Sequence, residues 1–367
     1  MTGQATSNFD QHVGTHDSTR IDDVRIRSVR PLISPAVLHE EYPVPDSVLT
    51  MVESTRSAVA DITRGRDPRL VVVVGPCSIH DADQALEYGR RLAALTPELQ
   101  DALLLVMRVY FEKPRTTVGW KGFINDPRLD DSYRINEGLQ RARALLLALA
   151  ELNVPSGTEF LDMLSPQYIA DLVVWGAIGA RTTESQSHRQ LASGLSCPIG
   201  FKNGTKGSIG IAADAIVAAA ASHAFMGMTK MGQAAVFETR GNPDCHLILR
   251  GGVKPNYDAA SVDAAAQHLS RAGIDARVMI DCSHANSSKQ YERQLEVLDD
   301  VCTQLAAGDK RIGGIMLESH LRAGKQDLKP GTPLQYGVSI TDGCLGWEQT
   351  EQALRKLADT VRTARFR

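Results

Sequence analysis

The chain has 367 residues, 43% of them hydrophobic and 23% charged, proportions that match a soluble globular fold and exclude disorder over most of the length. Forty Lys and Arg stand against forty-three Asp and Glu, a net charge of −3. No overall basic field therefore exists to hold nucleic acid or an anionic membrane, and anionic ligands have to be caught locally. The longest apolar runs, at 144–150 and 215–221, fall far short of the roughly 18 to 20 residues that span a bilayer.

Residues 1–20 are polar and lack the apolar core of a secretory signal, so they read as a loose tail and the address as cytoplasmic. Six cysteines without regular spacing are thiols or ligands in such a compartment, not a disulfide framework. Residues 21–69 form an N-terminal extension suited to oligomer or regulatory contacts, with an alternating stretch at 24–29 and a helical pattern at 48–63. From residue 70 to 367 short β-rich runs alternate with helical stretches. The strands are expected at 70–75, 103–109, 157–160, 178–181, 198–202, 246–250, 278–282 and 314–317. Helices are expected at 82–94, 136–152, 166–175, 212–221, 261–272, 290–306 and 348–363. Eight βα units in series predict an α/β fold, a closed (β/α)8 TIM barrel. A β-like pair at 224–228 and 234–239, around Met231-Gly232-Gln233, reads as an inserted hairpin spanning about 223–241.

A barrel places its chemistry at the C-terminal ends of its strands. Those ends carry Cys77, Arg108 followed by Lys113, Glu159, Arg181, Lys202, Arg250, His284 and Glu318, with Asp342 in the loop after the last strand. They fall into two groups. Cys77, His284, Glu318 and Asp342 are the donor types of a mixed S/N/O site for a divalent transition ion, Mn²⁺, Fe²⁺, Co²⁺ or Zn²⁺, with one position open to substrate. Arg108, Arg181, Lys202 and Arg250 are convergent cations for a small polyanion bearing phosphate and carboxylate. In the loop Lys113-Pro114-Arg115-Thr116, Arg115 and Thr116 are placed to hold a second phosphate, with Lys113 between the two ligands. Two anionic substrates beside a Lewis acid suggest a condensation.

The strings GPCSIHD (75–81), MRVYFEKPRTTVGWKGFINDP (107–127), GTEFLDMLSPQY (157–168), GARTTESQSHR (179–189), GFKNGT (200–205), ILRGG (248–252), DCSHANSSKQ (281–290), ESHL (318–321) and SITDGCLGWE (339–348) closely resemble the microbial type I 3-deoxy-D-arabino-heptulosonate 7-phosphate (DAHP) synthases, from about residue 21 to the C-terminus. The resemblance implies a metal-dependent barrel that condenses phosphoenolpyruvate with erythrose 4-phosphate and water and releases phosphate, the first step of the shikimate pathway. Carried over by position, it makes Cys77, His284, Glu318 and Asp342 the metal ligands. Phosphoenolpyruvate falls to Arg108, Lys113, Arg181, Lys202 and Arg250, and erythrose 4-phosphate to Arg115, Thr116 and Asp342. Lys113 is the candidate for proton transfer, with His284 second.

Members with this hairpin and extension are commonly homo-oligomers, dimers or tetramers, inhibited by an aromatic amino acid. The matching positions here are Asp23, Met163, Pro166, Gln167, Leu195, Ser196, Phe225 and Gly227; Gly at the last favours tyrosine, where Ser goes with phenylalanine. The alternatives are a synthase using another aldose phosphate, against which the Lys-Pro-Arg-Thr loop argues, and a silent barrel sensing phosphosugars or aromatic amino acids. The presence of all four ligand types argues against loss of activity. His80 and His320 read as supports beside the ligands, the remaining cysteines as buried small side chains, and Trp120 as either a lid or packing.

Overall fold

The computed structural model describes residues 21–115, 117–329 and 331–364; the tail expected at 1–20 and Thr116 lie outside them. Two units are distinguished, residues 1–32 and 33–367. Within the first, residues 21–32 are exposed and form no strand where alternation at 24–29 suggested one. A local turn, with the Ile26 amide donating to the Asp23 carbonyl at 2.8 Å, takes Asp23 to φ 55°. An alternating pattern has no force without a neighbouring strand to pair with.

The second unit begins with helices α1 (Pro35–Glu41) and α2 (Asp46–Thr63) and then alternates. Its elements run β1 (Leu70–Gly75), α3 (Ala82–Leu99), β2 (Leu103–Arg108), α4 (Ile135–Glu151), β3 (Ser156–Glu159), α5 (Pro166–Ile169), β4 (Val173–Ile178), α6 (Gln186–Gly194), β5 (Ile199–Lys202) and α7 (Gly210–Ala220). The hairpin β6 (Ala224–Met228) and β7 (Ala234–Glu238) follows, then β8 (Cys245–Leu249), α8 (Ala259–Arg271), β9 (Val278–Asp281), α9 (Gln294–Ala306), β10 (Ile312–Glu318) and α10 (Trp347–Ala364). Eight parallel strands close in the order β1-β10-β9-β8-β5-β4-β3-β2, with β6 and β7 a separate antiparallel pair. This is a (β/α)8 barrel with an N-terminal extension and an inserted hairpin.

Strands covered on both faces read as unbroken apolar runs, and all six residues of β1 are buried. The helices hide one stripe each; α10 buries Trp347, Leu354, Leu357 and Val361. Asp81 caps α3, its carboxylate accepting from the Asp83 and Gln84 amides at 2.8 and 3.1 Å, which sets the start of the helix at Ala82. The fully buried Arg143 on α4 grips Asp171 with two bonds of 2.8 and 2.9 Å and donates to the Tyr168 carbonyl at 2.9 Å, so the α5 region is pinned to the barrel.

A second expectation is corrected, in the barrel. The helix expected at 166–175 is a single turn, α5, followed by a 3-10 turn at Ala170–Leu172, and the fourth strand starts at Val173 rather than at 178. Val173-Val174-Trp175-Gly176-Ala177-Ile178 is wholly buried, and a short buried run carries no period that separates strand from helix.

Candidate functional site

At the C-terminal ends of the strands a cavity of about 390 Å³ is lined by Arg108, Lys113, Arg115, Arg181, Lys202, Arg250, His284, Glu318 and Asp342. A larger cleft of about 620 Å³ opens at the opposite end, between the α2 terminus and Lys310, but the donor cluster lies at the first. Among the described residues, Cys77, Glu318 and Asp342 each place a ligand atom within 4.8 Å of the others.

Backbone register builds this trio. Gly75 at the end of β1 pairs with Glu318 at the end of β10. The long loop after β10 folds back on itself through bridges Ser319 to Leu345 and Gly324 to Cys344, which returns Asp342 to the rim; the Cys77 thiol donates to its Oδ2 at 3.7 Å. His284 stands beside the trio, its Nε2 4.0 Å from Glu318 Oε1, on a backbone held at φ 56°, a strained conformation that persists only where its surroundings dictate it. Burial, and then Glu318, push the Cys77 thiol up, with Lys113 opposing. The Asp342 carboxyl sits below the usual range: burial works against this and is outweighed by Lys113 and His284. A thiol, an imidazole and two carboxylates, one of them 2% exposed, fit a divalent transition ion, which takes these donors deprotonated.

The cations interleave with these donors. Arg108, 1% exposed, donates to Glu318 Oε1 at 3.0 Å, to the Pro76 carbonyl at 3.1 Å and to the Cys77 carbonyl at 3.3 Å, and its guanidinium lies 3.5 Å from the centre of the Tyr110 ring. Lys113 Nζ is 3.1 Å from Cys77 Sγ and 3.2 Å from the Cys77 carbonyl. Lys202 Nζ, also buried, lies 3.1 Å from Asp281 Oδ2. Arg181 donates to the Pro114 carbonyl at 3.2 Å and so ties down the loop at Pro114. That loop closes at its base through the Glu112 to Gly122 bridge. Arg250 is anchored by its own amide, which donates to Asn203 Oδ1 at 2.8 Å, leaving the guanidinium toward the cavity.

Two groups were not visible in the sequence as part of the site. Asp281, fully buried, touches both Lys202 and His284 Nδ1, the latter at 2.9 Å; an acid three residues before a histidine at a strand end was the available signal. Lys289 and Lys325 also line the cavity, in loops where no pattern marks them. Trp120 is packing: its indole N–H donates to the Asp126 carbonyl at 2.9 Å and its ring rests on the core. His80 and His320 lie with ring centres 5.9 Å apart, and burial lowers both pKa values, that of His320 to about 3 with His80 adding to it. All six cysteines are buried and unpaired.

The positions compared with regulatory sites form two clusters around the hairpin. Pro166 and Gln167 lie under its tip, where Lys230 donates to the Gln167 carbonyl, with Met163 one loop before and packed on the core. Leu195 and Ser196 lie at its base, where Asn242 donates to the Leu195 carbonyl at 3.2 Å. Phe225 and Phe237 stack with centres 6.0 Å apart, and a Cβ at Gly227 would meet the Phe237 ring at 2.8 Å. Asp23 belongs to the other unit.

A family model described as the DAHP synthetase I family matches residues 46–355. The chain belongs to that family. It is 57% identical over 344 residues to the phospho-2-dehydro-3-deoxyheptonate aldolase, Phe-sensitive, of Escherichia coli K12, covering 94% of this chain and 98% of that protein. It is 54% identical over 341 residues to a phospho-2-dehydro-3-deoxyheptonate aldolase of Haemophilus influenzae, whose name carries no inhibitor, covering 93% and 94%. A Trp-sensitive Escherichia coli O157:H7 relative is 54% identical over 344 residues, covering 94% and 99%. The solved structure of the phospho-2-dehydro-3-deoxyheptonate aldolase from Francisella tularensis SCHU S4 superposes with a TM-score of 0.91 at 48% identity, covering 92% of this chain and 99% of that one. The chain is thus a type I DAHP synthase, a transferase of the 3-deoxy-7-phosphoheptulonate synthase class.

Proposed function

We propose that this synthase condenses phosphoenolpyruvate with erythrose 4-phosphate and water at the 390 Å³ cavity, in a metal-dependent reaction that releases phosphate. The observation that carries the reading is the interleaving of donors and cations: Lys113 beside Cys77 at 3.1 Å and Arg108 on Glu318 at 3.0 Å. A divalent ion held by Cys77, His284, Glu318 and Asp342 supplies Lewis acidity toward an aldehyde oxygen. The side chains do the rest. Lys202, Arg181 and Arg250 bind the phosphate and carboxylate of phosphoenolpyruvate, while Arg108, locked by its carbonyl bonds, offsets charge from beneath. Arg115 and Thr116 hold the aldose phosphate from the loop. Aligning two anions in one cavity removes much of the entropic barrier to their meeting. Lys113 Nζ is the group that moves a proton; His284 is assigned to the ion because Asp281 and Ser283 occupy its Nδ1.

An aromatic amino acid regulates the enzyme at the hairpin clusters; Asp23, in the other unit, is assigned to this regulation by the resemblance alone. Tyrosine rests on Gly227 alone, since the relatives are named for phenylalanine and tryptophan. A homodimer or homotetramer is supported by the hairpin's outer face, where the register partners Met226 and Val236 are 89% and 70% exposed. No helix among the described residues is long and apolar enough to cross a membrane, consistent with a cytoplasmic setting. The test is a stopped assay of purified protein with phosphoenolpyruvate and a panel of aldose phosphates. One phosphate released per phosphoenolpyruvate consumed, with erythrose 4-phosphate preferred, upholds the reading; consumption without an aldose, or preference for another, sinks it.

A further inference from the structure

We propose that Asp281 is a positioning residue that couples the metal site to the phosphoenolpyruvate site, a role that rests on the function proposed above. One carboxylate oxygen, Oδ2, lies 3.1 Å from Lys202 Nζ and 2.9 Å from His284 Nδ1, so the same charge serves a substrate cation and a metal donor. Neither contact is a well-aligned hydrogen bond at that oxygen, and both depend on where the carboxylate points. That direction is set by Oδ1, which accepts from the Ser283 amide at 3.0 Å and the Ser283 hydroxyl at 2.7 Å. The Asp281 backbone is fixed too, its carbonyl accepting from Asn286 Nδ2 at 2.8 Å, and the same amide group binds the Leu249 carbonyl at 3.1 Å next to Arg250.

The consequences follow from burial. Asp281 is fully buried and Lys202 is 3% exposed, so an ammonium without this carboxylate would be a buried unpaired charge, which folded chains do not tolerate in place. The imidazole Nδ1 faces this carboxylate at 2.9 Å and the Ser283 hydroxyl at 2.6 Å, and that hydroxyl in turn donates to Asp281 Oδ1, so the carboxylate and the serine together turn Nε2 outward, the usual support of a metal-bound histidine. A divalent ion bound by His284 would fix the imidazole and, through it, the shared carboxylate on which the Lys202 ammonium depends. Metal and phosphoenolpyruvate therefore bind with positive coupling, and by linkage each tightens the other by the same factor.

The experiment compares the full chain with Asp281→Asn and Ser283→Ala. Three quantities are read: the Mn²⁺ dissociation constant by chelator competition, the phosphoenolpyruvate dissociation constant by calorimetry without and with Mn²⁺, and the erythrose 4-phosphate KM at saturating Mn²⁺ and phosphoenolpyruvate. Asp281→Asn should weaken Mn²⁺ about 10- to 100-fold, as loss of such support does, weaken phosphoenolpyruvate about tenfold in the metal-free protein, bring the coupling factor near one, and move the erythrose 4-phosphate KM less than threefold. Ser283→Ala, which removes the hydroxyl's bonds to Asp281 Oδ1 at 2.7 Å and to His284 Nδ1 at 2.6 Å, should lower both affinities in parallel by about threefold or more, and it carries the test if the first variant does not fold. The proposal is overturned if phosphoenolpyruvate affinity stays within twofold while Mn²⁺ affinity falls, or if the erythrose 4-phosphate KM rises as much as the phosphoenolpyruvate constant. Failure of the wild-type chain to bind phosphoenolpyruvate at all is a different result, and it refutes the function beneath.

Discussion

Glu318→Gln isolates the charge that holds Arg108. The two side chains are 1% and 2% exposed and meet at 3.0 Å, so the guanidinium has little water to fall back on. Glutamine keeps the shape and an acceptor oxygen, and Arg108 keeps the Pro76 and Cys77 carbonyls at 3.1 and 3.3 Å; the loss is the charge alone. Breaking a buried pair from one side costs about 3–5 kcal/mol, and the retained acceptor brings the expectation to about 3 kcal/mol. A barrel of this size unfolds with an entropy of roughly 0.7 kcal/mol/K, so the thermal midpoint of chelator-treated protein should fall by about 4 °C. Combining Glu318→Leu with Arg108→Met, which removes both charges, should recover at least half of that drop. A midpoint for Glu318→Gln within about 1 °C of wild type would show that Glu318 does not hold Arg108, and the interleaved site would lose its physical basis.

Three further outcomes are expected. Burial lowers the His246 pKa to about 4, against an unfolded value of about 6.5; the unfolded chain takes up a proton first, so stability declines as pH falls from 6.5 toward 4. At pH 5 this is about 2 kcal/mol, and thermal midpoints of wild type and His246→Asn, which keeps an acceptor for the Trp175 indole, should converge by about 3 °C between pH 7 and pH 5; parallel curves would refute it. Gly122, at φ +117° with a Cβ position 2.1 Å from the Phe111 carbonyl oxygen, allows the Glu112 to Gly122 bridge to form, at the base of the loop proposed to hold the aldose phosphate. Gly122→Ala should raise the erythrose 4-phosphate KM at least tenfold while the circular dichroism spectrum is unchanged, and an unaltered KM contradicts the loop's assigned role. Gly227→Ser should displace the Phe237 ring and shift inhibition from tyrosine toward phenylalanine, read from inhibition curves for the two amino acids; an identical profile would make Gly227 a packing residue only.

The rim was legible because strand ends in a barrel share one direction: once β1, β2, β5 and β10 are recognised, Cys77, Arg108, Lys202 and Glu318 must converge. The start of β4 was not, because Trp175 and its neighbours are buried on every side and leave no period to read. Asp281 was hidden for another reason. Its importance lies in a shared oxygen between Lys202 and His284, residues 79 and 3 positions away by number, and such a three-body contact has no linear signature. His284 was legible as a donor type at a strand end, but its backbone at φ 56°, uncommon for any residue with a Cβ, was not.

The most direct test of the central claim is a titration of chelator-stripped full-length protein with Mn²⁺, following bound metal and restored heptulosonate synthesis together. One equivalent per chain should restore activity in proportion to occupancy, and Cys77→Ala should abolish both signals. Synthesis at full rate in the stripped protein, or tight stoichiometric binding that Cys77→Ala leaves intact, would contradict it.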